Sequence, residues 1–267
     1  MSEVARGGGA GAMEEKSSEG WLLGGQVRYR QPREGFRSGI EPVLLAAAVP
    51  AAAGDRVLEG GTGAGAGLLC LGARVKGVSG MGVERDPALA EMARDNFAMN
   101  GFAALSVVVG DIGVGDIGSP GAGLARGDIF DHAFANPPWH GAIGTEPADP
   151  ARWAAKRGGE KLGAWVVALA GRLRAGGTLS LMLAPAGIPA AMEAAEAAGS
   201  GSVVVFPFWP KEGRPAKLVL VRMTRGGRGS LRLPAGLVLH EEDGRFTAAA
   251  EAILRGGAEL RLSREAS

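Results

Sequence analysis

The stretch that most limits the possible folds is Glu59-Gly60-Gly61-Thr62-Gly63-Ala64-Gly65-Ala66-Gly67. It stands between residues 56–59, which read as a buried strand, and Leu68-Leu69-Cys70-Leu71, which reads as a helix running to about residue 75. Glycines at this junction let the chain turn sharply and let a ligand approach main-chain N–H groups at the positive end of the helix. Residues 78–83 form a second expected strand that ends in Glu84, 19 residues after Gly65. A nucleotide-binding βαβ unit places an acid at about this distance, where it binds the two ribose hydroxyls.

The alternation continues. Pro87 opens a helix that stops at Gly101, and residues 105–109 make a third strand closed by Gly110-Asp111. A Gly-rich surface connection over residues 113–127 leads to residues 129–135, a short apolar run read as a fourth strand. That run is stopped by Asn136-Pro137-Pro138-Trp139, since prolines cannot donate to a sheet ladder. The Asn136 oxygen and the Pro137 carbonyl can accept the two N–H bonds of an amino group on a flat heterocycle, and Trp139 offers a stacking face. Asp111 can accept from an adenine amino group. Farther along, residues 160–175 read as a helix with Trp165, Val166, Leu169 and Leu173 on one face. Gly176-Gly177 turns it into a strand over 178–183, followed by a helix over 188–198. Strands over 203–206 and 217–221 are joined by Pro207-Phe208-Trp209-Pro210 and a basic loop. The expected architecture is a doubly wound, Rossmann-like α/β sheet with helices on both faces. Its ligands collect at the carboxyl ends of the strands.

Three regions are expected. Residues 1–20 are rich in Gly, Ala, Glu and Ser and read as a disordered tail. Residues 21–50 form an arm and a helix that opens at Pro42, and residues 51–267 form the main domain with a C-terminal extension. Net charge is +1, so no overall field announces a polyanion. Basic residues are nevertheless concentrated at Arg28, Arg30, Arg33 and Arg37, and again from Lys211 through Arg214 and Lys217 to Arg232. The single cysteine, Cys70, excludes an intramolecular disulfide and fits a reducing cytoplasm. His132, His140 and His240 lack ligand spacing, so no metal is expected, and no apolar run is long enough for a membrane span. The segment Gly61-Thr62-Gly63-Ala64-Gly65-Ala66 also satisfies G-x-G-x-x-A, which keeps an NAD-dependent oxidoreductase open as an alternative.

Taken in order, Glu59 to Gly65, Glu84, Asp111 and Asn136-Pro137-Pro138-Trp139 resemble the motifs of class I S-adenosylmethionine-dependent methyltransferases of the amino-methylating branch. Gly24-Gly25-Gln26-Val27-Arg28, Ile40-Glu41-Pro42-Val43-Leu44-Leu45 and Gly236-Leu237-Val238-Leu239-His240-Glu241 are similar to segments of the bacterial tRNA1(Val) (adenine(37)-N6)-methyltransferase family. The resemblance implies a seven-stranded methyltransferase sheet and S-adenosyl-L-methionine as cofactor. Gly61, Gly63 and Gly65 would line its methionine part, with Glu59 near the amino end, Glu84 on the ribose and Asp111 on the adenine. It also implies N6-methylation of an adenine in RNA, with tRNA as the substrate in that family, Asn136 and Pro137 holding the amine and Trp139 on the base. Family members usually carry Asp at the position of Glu59 and Tyr or Phe at that of Trp139. The same turn would serve a protein glutamine amide, and a non-catalytic RNA-binding module is a further alternative. Arg28, Arg30, Lys211, Arg214 and Lys217 are the expected phosphate contacts, Phe208 and Trp209 are candidate stacking residues, and His140 is a candidate proton relay.

Overall fold

The chain enters as an antiparallel hairpin of β1 (Ser17–Leu22) and β2 (Val27–Pro32) in a computed structural model that describes residues 17–33, 38–114, 124–125, 127–137 and 161–262. Residues 17–20 fall in β1 rather than in the disordered tail that their composition predicts. Val27 and Tyr29 are buried in the core, and the free edge of β2 is capped by side chains of the third helix. Asn100 and Asn96 each accept a main-chain N–H, from Arg28 and Arg30 respectively, at 2.9 Å. This satisfies an edge that would otherwise be open to another chain.

Helix α1 (Glu41–Ala48) carries Pro42 in its first turn and is followed by β3 (Arg56–Gly60), α2 (Ala66–Arg74), β4 (Ser79–Glu84), α3 (Pro87–Met99) and β5 (Leu105–Val109). Then come β6 (Phe130–Ala135), helical residues 161–170 (α4), β7 (Leu173–Leu183), α5 (Ile188–Ala197), β8 (Ser200–Trp209), β9 (Leu218–Arg225), β10 (Leu237–Val238) and α6 (Ala248–Leu254). The large sheet has the order β10-β8-β9-β7-β6-β3-β4-β5. β9 runs antiparallel to both β7 and β8, and the remaining pairs are parallel. Strand residues alternate between two cores. Val57, Leu105, Phe206 and Leu220 pack against α1, α2, α3 and α6, whereas Leu58, Val83, Leu181 and Val221 pack against α4 and α5. This is the doubly wound α/β arrangement expected from the sequence, with two-residue β10 added as an eighth strand. The antiparallel β9 between β7 and β8 departs from the parallel six-strand order of dinucleotide-binding domains, which weighs against the oxidoreductase alternative.

Two strand boundaries differ from expectation. The helix ends at residue 170 instead of 175, and Gly176-Gly177 sits within β7, in a register shift opposite Phe130 and His132. A β-carbon on Gly177 would lie 2.7 Å from the Asp131 carbonyl oxygen, so this pair marks close strand approach rather than a turn. β8 runs through Pro207 to Trp209 rather than stopping at Phe206. Val205 donates its N–H outward to the Arg232 carbonyl at 3.0 Å. Two residues later, Pro207 also faces outward, where the missing donor costs no ladder bond. Helix α6 had no expectation attached to it; Thr247 caps it by accepting from the Ala250 N–H, and Ile253 and Leu254 are buried. No described helix is long and apolar enough to cross a membrane.

Candidate active site

The parallel strands bring the ends of β3, β4, β5 and β6 to one edge of the sheet, so the residues singled out by their spacing converge there. The glycine loop is held by Gly61 and Thr62, which donate main-chain N–H groups to the Val83 carbonyl at 2.8 and 3.2 Å. Gly65 has φ of 90°, a left-handed conformation open to glycine, and its β-carbon position lies 2.7 Å from the Phe97 ring. The space above Gly63 is open, because a β-carbon there meets nothing within 4 Å.

Glu59 is buried at the end of β3, 6% exposed. Its carboxyl accepts from the Thr62 hydroxyl and from the Leu68 N–H at 3.2 Å. Its other oxygen occupies the place where a side chain at Gly67 would begin, 2.1 Å from that β-carbon position. Gly67 is therefore required for close approach of the helix to the acid. Burial pushes the Glu59 carboxyl up to about 8; the nearby Glu84 adds to the rise, and the two hydrogen bonds oppose it. Glu84, 7% exposed at the end of β4, accepts from Gly63 N–H and Asp86 N–H, both at 2.9 Å. Each carboxylate oxygen retains a second lone pair for a ligand hydroxyl.

Asp111 is exposed just beyond β5, and its carboxylate accepts from the Gly113 N–H at 2.7 Å, which fixes a tight turn over Ile112–Val114. Ile112 is buried, with its Cδ1 atom 2.9 Å from the β-carbon position of Gly60, so this turn is anchored directly on the glycine loop. Half-buried Asn136 and buried Pro137 continue β6, adjacent to β3. Pro138, Trp139 and His140 lie outside the described residues.

One residue at this edge was expected only as part of an apolar helix face. Trp165 of α4 reaches over the glycine loop, its Cη2 atom 2.7 Å from the β-carbon position of Gly61 and its Nε1 atom 3.7 Å from that of Gly113. The indole thus bridges the glycine loop and the Asp111 turn. Helical periodicity places it on the core face but carries no sign of this second contact. Phe208 is buried at 1% exposure, edge-on to Phe206 at 5.5 Å, and is a core residue rather than a stacking surface. Arg28 and Arg30 both pair with Glu19, at 2.7 and 3.2 Å. Lys211 donates to the Glu242 carbonyl at 2.6 Å. Arg214 and Lys217 are exposed. Cys70 is buried within α2, where burial pushes its thiol up, as befits a packing residue.

No family model matches the sequence. A curated tRNA1(Val) (adenine(37)-N6)-methyltransferase from Actinobacillus succinogenes is 36% identical over 125 residues, which cover 45% of this chain and 49% of that protein. The chain therefore matches about half the length of that relative. Among solved structures, a predicted O-methyltransferase from Agrobacterium tumefaciens superposes with a TM-score of 0.69 at 24% identity, covering 82% of this chain and 98% of that one. The T. thermophilus 16S rRNA N2 G1207 methyltransferase, in complex with AdoMet and guanosine, gives 0.52 at 20% identity, covering 78% and 50%. A methyltransferase from Pyrococcus furiosus gives 0.51 at 19% identity, covering 76% and 90%. The resemblance carried by the motifs thus extends to the whole sheet: this chain has the fold of the class I S-adenosylmethionine-dependent methyltransferases.

Proposed function

We propose that this protein is an S-adenosyl-L-methionine-dependent methyltransferase acting on the N6 amino group of an adenine in RNA, with tRNA as the substrate class. The observation that carries the reading is the adjacency of β3 and β6, which sets the glycine loop, with its buried acids, beside Asn136-Pro137. The curated relative acts on tRNA adenine, and its matched segment supports the same amine chemistry.

The residues fit the cofactor. Open space at Gly63 leaves room beside the loop, Glu84 retains acceptor capacity for ribose hydroxyls, and the buried Glu59 favours a cationic neighbour. Asp111 is the acceptor for the adenine amino group, although one of its oxygens already supports its own turn. Trp165 closes the loop from the side of α4. When bound, S-adenosylmethionine supplies an electrophilic methyl group on a sulfonium.

The chain's own work is positioning. An adenine amino nitrogen is a weak nucleophile because its lone pair is delocalised into the ring. The Asn136 side-chain oxygen and the Pro137 carbonyl accept its two N–H bonds, favouring the tetrahedral geometry in which the lone pair is available. Such orientation and charge stabilisation require no strong base, and the proton leaves to solvent. A base in RNA must leave its stack to reach this turn, which is easiest in a loop. Localisation in the cytoplasm follows from the reading as a tRNA-modifying enzyme.

The test is methyl transfer from radiolabelled S-adenosylmethionine to unmodified tRNA transcripts, with the product nucleoside identified by mass spectrometry. Asn136→Ala should lower kcat by at least about 100-fold, the scale on which one transition-state hydrogen bond acts, while cofactor affinity is retained. Transfer to a glutamine-containing peptide with none to RNA would replace this reading by protein amide methylation.

A further inference from the structure

Outside the glycine loop, the carboxyl edge of the sheet carries a second concave surface. The loop from β8 to β9 and the segment entering β10 enclose an open groove of about 590 Å³, within the ~300–1,000 Å³ range of small-ligand clefts. Trp209, Glu212, Arg214 and Pro215 line one part of it, and Gly236 and Val238 another.

The groove is built around the indole. Trp209 donates its Nε1–H to the Ala235 carbonyl at 2.8 Å, which fixes the ring orientation. Gly236 has φ of 89°, and a β-carbon there would lie 2.3 Å from the Pro207 carbonyl oxygen and 2.8 Å from the indole nitrogen. Any side chain at that position would force the wall away from the ring. The Leu239 N–H then donates to the Trp209 carbonyl at 2.8 Å, continuing the wall into β10. From Trp209 to Lys217 the chain carries Lys211, Arg214 and Lys217 against Glu212 alone, so the loop is cationic.

Sheet register places this groove relative to Asn136. β8 is antiparallel to β9, which is antiparallel to β7, so the carboxyl end of β8 opens on the same edge as that of β6. Ala135 is level with Leu181, Val221 and Val205 across the successive pairs. β8 therefore lies three strand spacings from β6, about 14 Å, and Trp209 stands three residues beyond the level of Asn136, about 10 Å farther outward. A strand whose target base is turned in at Asn136 passes the groove within about five nucleotides even where it remains stacked at ~3.4 Å per nucleotide.

We infer that this groove is a flanking-nucleotide site: the Trp209 indole takes a base of the substrate RNA on its face, and Arg214 meets the adjoining phosphate. Arginine and an aromatic plane lining one groove are suited to unpaired nucleotides, since every base offers a π-face and every phosphate a charge. The inference rests on the RNA reading of the active site and adds to it a place where the substrate is held.

The test uses the full chain, unmodified tRNA transcripts and three variants, Arg214→Ala, Trp209→Leu and Trp209→Phe, with S-adenosylmethionine affinity measured for each. Arg214→Ala should raise KM for RNA roughly tenfold and reduce the salt slope by about one phosphate contact. Its kcat and cofactor affinity should stay at wild-type values. Trp209→Leu should raise KM similarly, and Trp209→Phe, which keeps a stacking face, should recover most of the loss. Wild-type KM and salt slope in Arg214→Ala and Trp209→Leu would overturn the site, as would a parallel fall in cofactor affinity, which would mark the loop as a support for the fold. If the wild type binds S-adenosylmethionine but neither binds nor methylates RNA, the active-site reading falls and the groove assignment with it. If the wild type methylates RNA and the variants are unaffected, the groove assignment alone falls.

Discussion

At the amino edge of the sheet, Asp55 lies 3.3 Å from His132, Asp128 3.2 Å from Arg56 and Asp131 2.5 Å from Arg174. At the carboxyl edge, Glu59 and Glu84 are more deeply buried, and among the described residues they meet neutral donors: a hydroxyl and the main-chain N–H groups of Gly63, Leu68 and Asp86. A buried carboxyl without a cation costs stability unless it stays protonated or is hydrogen-bonded, and Glu59 does both. At the amino edge, Asp128 and Asp131 are thus answered by arginines, and Asp55 by the His132 ring, whose pKa burial lowers from its ordinary value. The carboxyl edge keeps acids whose natural complement is a cationic, hydroxyl-bearing ligand. On the proposed reading, the unanswered acids, rather than the ion pairs, mark the cofactor site.

The most direct way to break this contrast is to remove one charged side chain from each edge's arrangement and compare the losses. Glu84→Ala should weaken S-adenosylmethionine binding on the order of 100-fold by isothermal titration, near the top of the ~1.5–3 kcal/mol that hydrogen bonds to a charged group contribute. Arg174→Ala at the opposite edge should leave that affinity within about twofold, since exposed ion pairs contribute little even locally. Equal losses at the two edges would show that Glu84 supports the fold rather than the ligand. A second, smaller effect comes from filling the contact that permits Glu59 to be buried. Gly67→Ala drives a methyl group into the Glu59 carboxyl and the Phe134 ring, where Cε2 is 2.8 Å away. It should lower unfolding stability by about 1–3 kcal/mol, the usual cost of overpacking. Denaturant titration at fixed pH would check it, and an unchanged midpoint would mean that α2 can shift without strain.

How much of this was legible beforehand differs between the two halves of the sheet. From β3 to β6 the strands are short, continuous and bounded by Gly, Asp or Pro. Their ends therefore carried the positions of Glu59, Glu84, Asp111 and Asn136 to one edge once a parallel sheet was assumed. From β7 onward, local signals compete with tertiary ones. Gly176-Gly177 and Pro207 both read as interruptions, yet both lie inside strands, because close strand packing requires the first and an outward-facing edge tolerates the second. The wall of the Trp209 groove was not legible, since it depends on Gly236 meeting Pro207 across 29 residues of sequence. Likewise, Trp165 shows only its helical period in the sequence, and its contact with Gly61 is set by how α4 crosses the sheet.

The finest test of the contrast is pH. The Glu59 carboxyl is raised from 4.5 to about 8 by burial, so between these values the unfolded chain has lost a proton that the folded chain retains. The unfolded state then binds fewer protons, and stability falls as pH rises from about 4.5 toward 8, levelling off above. Glu59→Gln keeps an acceptor oxygen for Thr62 and Leu68 and removes the titration, so its stability relative to wild type should climb across that window and become constant near its upper end. Denaturant titrations of the ligand-free proteins at pH 5, 6.5 and 8 would measure the divergence. Saturating S-adenosylmethionine should shrink it, because the cofactor's α-ammonium beside the carboxylate offsets the burial that raised it. Parallel profiles with and without the substitution would place the proton elsewhere, and the carboxyl edge would then be no more poised for a cation than the amino edge.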